Sequence, residues 1–140
     1  MREVLGIIKT KTGDHVADLG SGWGSLIIPL ARAHPELRFT GYEASWLPWL
    51  FSLLLKRLHR LDNLTLKCGN FLHSDLSGHN TLLCYLYPGA MQRLAAKLEH
   101  DCAQDCHVIS HTFALPGYRP IRKIHCGDLY HTPVYHYHVR

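Results

Sequence analysis

The stretch His15-Val16-Ala17-Asp18-Leu19-Gly20-Ser21-Gly22-Trp23-Gly24 reads as a buried strand that ends in a glycine-rich turn and runs into a helix. Downstream, Arg38-Phe39-Thr40-Gly41-Tyr42-Glu43 reads as a second strand that ends in a carboxylate. Together they have the layout of an α/β nucleotide-type site. Glycines let a ligand approach the backbone, and the acid takes ribose hydroxyls. The glycine spacing narrows the ligand. A dinucleotide fingerprint needs glycine or alanine one position beyond Gly24, and that position is Ser25. Gly20, Gly22 and Gly24 instead form G-x-G-x-G, preceded by Asp18.

Working outward, residues 4–10 fit a short leading helix, and strand one covers about 15–20. A first helix is expected from Gly22 to His34, stopping before Pro35. Pro29 would fall in its second turn, where it costs a backbone hydrogen bond. Strand two is 38–43. Ser45 can cap a second helix that carries Leu47, Leu50, Leu54, Leu58 and Leu61 at helical spacing and ends at Asp62-Asn63. Strand three is Leu64–Cys68. A polar connection at Asp75–Asn80, with room for one helical turn, leads to strand four at Thr81–Tyr87. A further helix puts Met91, Leu94, Ala95 and Leu98 on one face, with Arg93, Lys97 and Glu99 off it. Strand five spans about His107–Leu115. Two β-like segments, 121–126 and 133–139, follow with no room for a helix before them. The expected fold is α/β and Rossmann-like: one domain over 1–140, a mostly parallel sheet, and a terminal antiparallel pair, shortened after strand five.

The bulk properties exclude several classes. A chain of 140 residues holds one domain with a real core. Its formal charge of +4 is too small and too scattered to signal nucleic-acid binding. Lys56-Arg57 with Arg60 is the densest basic cluster and reads as a solvated helix face. The longest apolar run, Trp46–Leu55, is about half a membrane span. Five cysteines without framework spacing point to a reducing, cytoplasmic compartment and no disulfide. Cys102-x-x-x-Cys106-His107 and His131, His136 and His138 are the places to consider for metal. No second ligand pair stands at zinc-finger distance, so no metal is expected. His136 and His138 alternate along a strand, an ordinary exposed pattern.

The G-x-G-x-G spacing after Asp18 resembles motif I of the class I S-adenosylmethionine (SAM) methyltransferases. Under that resemblance Asp18 and the turn of Gly20, Ser21, Gly22, Trp23 and Gly24 meet the methionine portion. Backbone N–H groups suit its carboxylate and an acid suits its ammonium. Glu43 binds the ribose diol, or else caps the following helix. Asn70 reads the adenine amino group beside the ring of Phe71, or else makes an Asx turn over a core phenylalanine. Trp23 covers the ligand, or packs on Trp46 or Trp49. Tyr85, Tyr87 and Pro88 end strand four beside the transferable methyl, where aromatic faces suit a sulfonium and an incoming amine. They are equally able to fill the sheet. His111 is the candidate general base.

The chain as a whole, over about residues 12–140, resembles the small relatives of the mitochondrial lysine methyltransferases that modify ATP synthase subunit c and the adenine nucleotide translocase. The matching stretches are Asp18 through Gly24, Gly41-Tyr42-Glu43, Pro88 through Glu99 with His107-Val108-Ile109-Ser110, Phe113-x-x-Pro116-Gly117-Tyr118, and Tyr135-x-Tyr137. The resemblance implies SAM as cofactor and a lysine-bearing protein as acceptor. Three positions depart from the family pattern. Trp23-Gly24-Ser25 stands for Asp-Gly-Arg, Ser45-Trp46 stands for Asn-Pro, and Asn70 replaces an acid. The resulting expectation is a methyltransferase acting on a nitrogen, with a protein lysine as acceptor. The alternatives are an RNA or small-molecule methyltransferase and a non-catalytic SAM-binding module. The sequence leaves the oligomeric state open.

Overall fold

The computed structural model describes Gly6, residues 10–101 and residues 105–139. The expected leading helix at 4–10 and Cys102 therefore fall outside the described residues, apart from Gly6 and Thr10. The described elements are β1 (His15–Leu19), α1 (Ile27–Ala33), β2 (Arg38–Glu43), α2 (Trp46–Leu58), β3 (Leu64–Cys68), a 3-10 turn (Phe71–His73), β4 (Thr81–Cys84), α3 (Pro88–Asp101), β5 (Cys106–His111), β6 (Arg122–His125) and β7 (Pro133–Val139).

The strands form one sheet in the order β3-β2-β1-β4-β5-β7-β6. β1 pairs in parallel with both β2 and β4, so the strand order reverses between β1 and β4. The carboxyl ends of β1, β2 and β4 diverge there and leave a crevice. β7 runs antiparallel between β5 and β6. The Rossmann-like expectation, with its antiparallel close, is what the sheet shows. Apolar residues cover both faces. Val16, Phe39, Leu64 and Ile109 pack with Ile27, Leu30 and Ala31 on one side. Ala17, Leu19, Leu82 and Val108 pack with Met91, Leu94 and Leu98 on the other.

Several expected boundaries are corrected. α1 begins at Ile27, not Gly22, because the turn continues through Leu26. Pro29 consequently sits in the first turn, where its missing N–H costs nothing. Ser45 precedes α2 but makes no side-chain cap, and the helix stops at Leu58. The one helical turn lies at Phe71–His73, upstream of Asp75–Asn80. β4 stops at Cys84, so Tyr85 and Tyr87 leave the sheet. β5 stops at His111, because Thr112 turns the chain with φ of 75°.

His136 is buried, not exposed, because β7 lies inside the sheet with Ile109 and Arg122 as its neighbours across the strands. Its Nε2 is 2.9 Å from His107 Nδ1, and the ring of His138 stacks on His107 at 4.6 Å. Burial, and then the neighbouring His107, push the His136 pKa down to about 4. Among the described residues no group of three or more His, Cys, Asp or Glu is placed to hold a metal ion. Tyr137 ties the region together: its hydroxyl accepts the Leu115 N–H at 2.8 Å, which anchors the Phe113–Tyr118 loop on β7.

Candidate active site

The glycine turn is closed by its neighbour strand. Gly20 and Ser21 both donate their N–H to the Tyr42 carbonyl at 2.9 Å. Gly24 N–H donates to the Ser21 carbonyl, and Gly22 N–H donates to Glu43 Oε2 at 2.6 Å. Four of the five amides of residues 20–24 are thus bonded within the chain. The expectation that this turn offers a row of donors to a carboxylate is corrected: it offers close approach to backbone instead. Gly24 has φ of 81°, and a Cβ there would stand 2.8 Å from Ile28 and 3.0 Å from Ser52. Its role is to let the turn pack on α1 and α2.

Glu43 holds two elements at once. Oε2 accepts from Gly22 and Oε1 accepts from Ser45 N–H at 3.0 Å. Its carboxylate therefore satisfies the entry to α2 in place of the Ser45 side chain, and it also faces the crevice. Asp18 lies one strand inward and is 5% exposed. Burial, reinforced by the charge of Glu43, raises its pKa to about 7.

The crevice has a volume of about 290 Å³. Gly20, Glu43 and Ala44 form one wall. Asn70 and Phe71 form the second, and Leu86, Tyr87 and Arg93 the third. Asn70 Oδ1 accepts from Leu72 N–H at 3.0 Å, so its side chain makes the Asx turn that starts the 3-10 turn. Phe71 is largely buried, with an edge on the crevice. Of the residues singled out from the sequence, the structure brings Gly20, Glu43, Asn70, Phe71 and Tyr87 around this one cavity. Asp18, Ser21, Gly22 and Gly24 support it from beneath or beside.

Trp23 does not line the crevice. It points to the opposite side of the turn and meets Phe51 edge-on at 5.4 Å, packing on neither Trp46 nor Trp49. A larger groove of about 530 Å³ lies there, but its lining is apolar apart from Arg57 and offers no carboxylate for a diol. The smaller crevice is the one of the two that carries a carboxylate, Glu43.

Beyond β4, Tyr85 and Tyr87 are exposed, 67% and 61% respectively. The aromatic rings do not fill the sheet. Tyr85 meets the His111 ring at 5.0 Å in a T-shaped contact. Burial keeps the His111 pKa below its usual value, so the ring is neutral near neutrality, and its Nδ1 pairs with Thr112 Oγ1 at 2.8 Å. Pro88 opens α3, where its fixed φ suits the first helical position. Sequence reasoning missed Leu86, Arg93 and Thr112. Thr112 is a β-branched residue at positive φ, a conformation that no residue pattern announces.

A doubly wound sheet with this crevice at its switch point, a glycine turn after β1 and an acid at the end of β2 defines a class I methyltransferase. Residues 18–122 match the model of the ANTKMT methyltransferase domain, and the chain belongs to that family. It is a SAM-dependent methyltransferase. The chain is similar to a protein-lysine N-methyltransferase of Saccharolobus islandicus (strain REY15A), with 29% identity over 135 residues, which are 94% of this chain and 84% of the relative. It is also similar to the crystal structure of an RNA methyltransferase from Salinibacter ruber in complex with S-adenosyl-L-homocysteine. There the TM-score is 0.88 at 25% identity, covering 99% of this chain and 88% of that one. PKMT2 from Rickettsia typhi, solved with AdoHcy, shares the fold at TM-score 0.62 and 18% identity, covering 76% of this chain and 22% of that one.

The residues present fit SAM. Glu43 supplies an acceptor at the end of β2, Phe71 and Leu86 supply apolar wall, and the absence of a side chain at Gly20 keeps the backbone approachable beside Leu86.

Proposed function

We propose that this enzyme methylates the side-chain amine of a lysine in a protein. The observation that carries the reading is the pair of exposed aromatic rings beyond the end of β4: Tyr87 lines the crevice with Glu43 and Asn70, and Tyr85 stands two residues before it against His111. The similarity to the Saccharolobus protein-lysine N-methyltransferase supports the acceptor. Glu43 holds the ribose diol, Asn70 and Phe71 border the adenine, and Asp18 faces the methionine ammonium. When bound, SAM supplies a methyl group on a sulfonium centre.

The chain's own part in the reaction is alignment. Tyr87 and Pro88 shape the path along which a neutral amine reaches the methyl carbon in line. His111, already neutral, receives the displaced proton on whichever ring nitrogen carries no hydrogen, while its Nδ1 pairs with the Thr112 hydroxyl. Cys68, Cys84 and Cys126 are thiols and suit a reducing, cytoplasmic compartment. Among the described residues no helix is long and apolar enough to cross a membrane.

A second reading, methylation of RNA, is favoured by the likeness to the Salinibacter enzyme. Incubation of the protein with tritiated SAM and a bacterial lysate separates the two. Label removed by protease and recovered as methyl-lysine supports the first reading. Label that survives protease and vanishes with nuclease moves the acceptor to RNA.

A further inference from the structure

The outer face of α2 is the least explained surface of the molecule. Trp46, Leu47, Leu50, Phe51, Leu54 and Leu58 all face solvent, with exposures between 44% and 68%. The inner face is also apolar: Trp49, Leu53 and Leu55 pack on the core, and Ser52 is buried. A helix that is apolar all round belongs between two nonpolar phases. Here the sheet supplies one of them. Trp23 extends the outer face across the neighbouring turn. The groove between Trp23 and α2 is walled by Leu47, Leu50, Phe51 and Leu54, and it ends at Arg57.

The charges around this face select its occupant. Lys56, Arg57 and Arg60 cluster at the carboxyl end of α2 and line one common depression with Leu61 and a single acid, Asp62, so three cations face one carboxylate there. No acidic residue lies between Glu43 and Asp62. Indole, leucine and phenylalanine side chains rimmed by lysine and arginine are the composition of a helix that lies in a lipid interface.

We propose that α2 and Trp23 form a peripheral membrane-docking face, which lies flat on an anionic bilayer with Leu50, Phe51 and Leu54 among the acyl chains and Lys56, Arg57 and Arg60 at the headgroups. Docking places the turn that carries Trp23 against the lipid surface and leaves the crevice, on the other side of that turn, open. The proposal is independent of which acceptor the enzyme uses.

Co-sedimentation of the full chain with vesicles tests it. The protein should pellet with phosphatidylcholine vesicles containing about 30% phosphatidylglycerol at low salt, and at least about tenfold less with phosphatidylcholine alone. The double variant Leu50→Ser/Leu54→Ser should lose at least about tenfold in partitioning, since two exposed leucines no longer enter lipid. Its circular dichroism and melting should match the wild type. Lys56→Glu/Arg57→Glu should abolish the preference for anionic lipid. Failure to pellet with anionic vesicles would overturn the proposal, as would undiminished pelleting of the leucine variant. A solution dimer that dissociates in the same leucine variant would assign the face to a second copy.

Discussion

α2 and α3 follow β2 and β4, the strands on either side of β1, yet they are built in opposite ways. α3 is amphipathic. Met91, Leu94, Ala95 and Leu98 are buried, and Gln92, Arg93 and Glu99 face solvent. Its orientation follows from its residue pattern alone. α2 has apolar residues on every side, and its inward face is chosen by shape and by one polar contact: Trp49 donates Nε1–H to the Leu66 carbonyl at 3.1 Å. The entries differ too. α3 starts on a proline, whereas α2 starts on a carboxylate borrowed from the end of β2. One helix is finished by the domain's own core. The other keeps a face that the domain does not use.

The strongest way to break this comparison is to truncate a leucine on each helix. Leu94→Ala on α3, at a fully buried site, should cost about 2–5 kcal/mol of stability in urea unfolding. Leu54→Ala on α2, 56% exposed, should change stability by no more than about 0.5 kcal/mol. Equal losses would mean that the α2 face is covered in solution.

The entries come next. Glu43→Ala removes the acceptor of two backbone N–H groups and the ribose partner, so SAM binding should weaken by about 1.5–3 kcal/mol in calorimetry. Unchanged affinity would leave Glu43 as a purely structural clasp. Capping gives a smaller contrast. Asn70→Ala, which deletes a formed cap, should cost about 1 kcal/mol, and Ser45→Ala, which deletes none, should be near neutral.

The pH dependence sharpens the picture of the site. His79 and His136 have pKa values lowered to about 4, so each contributes stability that is present above its unfolded value of 6.5 and is lost as pH falls toward 4. Asp18 acts with the opposite sign. Its pKa is raised from 3.8 to about 7, so the folded state holds an extra proton in that window and loses stability as pH rises through it. Asp18→Asn should therefore steepen the fall in melting temperature on acidification from pH 7 to 4. SAM affinity of the wild type should rise through pH 7, as Asp18 ionises opposite the ammonium. A flat affinity profile would remove that pairing.

The parts of this molecule that could be read from sequence are those where residue type dictates backbone or pattern. Gly20, Gly22 and Gly24 announced the turn because each takes positive φ. Glu43 is legible because an acid that ends the strand after a glycine turn completes a recognisable two-part pattern, although its second task, accepting from Gly22 and Ser45, is not. β6 and β7 were placed nearly to the residue by their turn signals. The face of α2 was not readable: its leucines satisfy helical spacing on the outer side as well as the inner, and periodicity carries no sign for which side is covered. The reach of Trp23 was equally hidden, since a turn residue can point to either side of its strand. Arg93 joins the crevice only through the docking of α3, which no local pattern encodes.

The placement of β6 and β3 at the two margins of the sheet has a consequence for self-assembly. An open sheet ends in rows of unpaired amides and carbonyls that can template another chain. β6 is only four residues long, and its Arg122 and Lys123 are exposed. At the far margin β3 exposes Thr65 and Lys67. A second sheet approaching either margin meets a short or positively charged strand, so edge-to-edge polymerisation is opposed at both ends by residues that take no part in the chemistry.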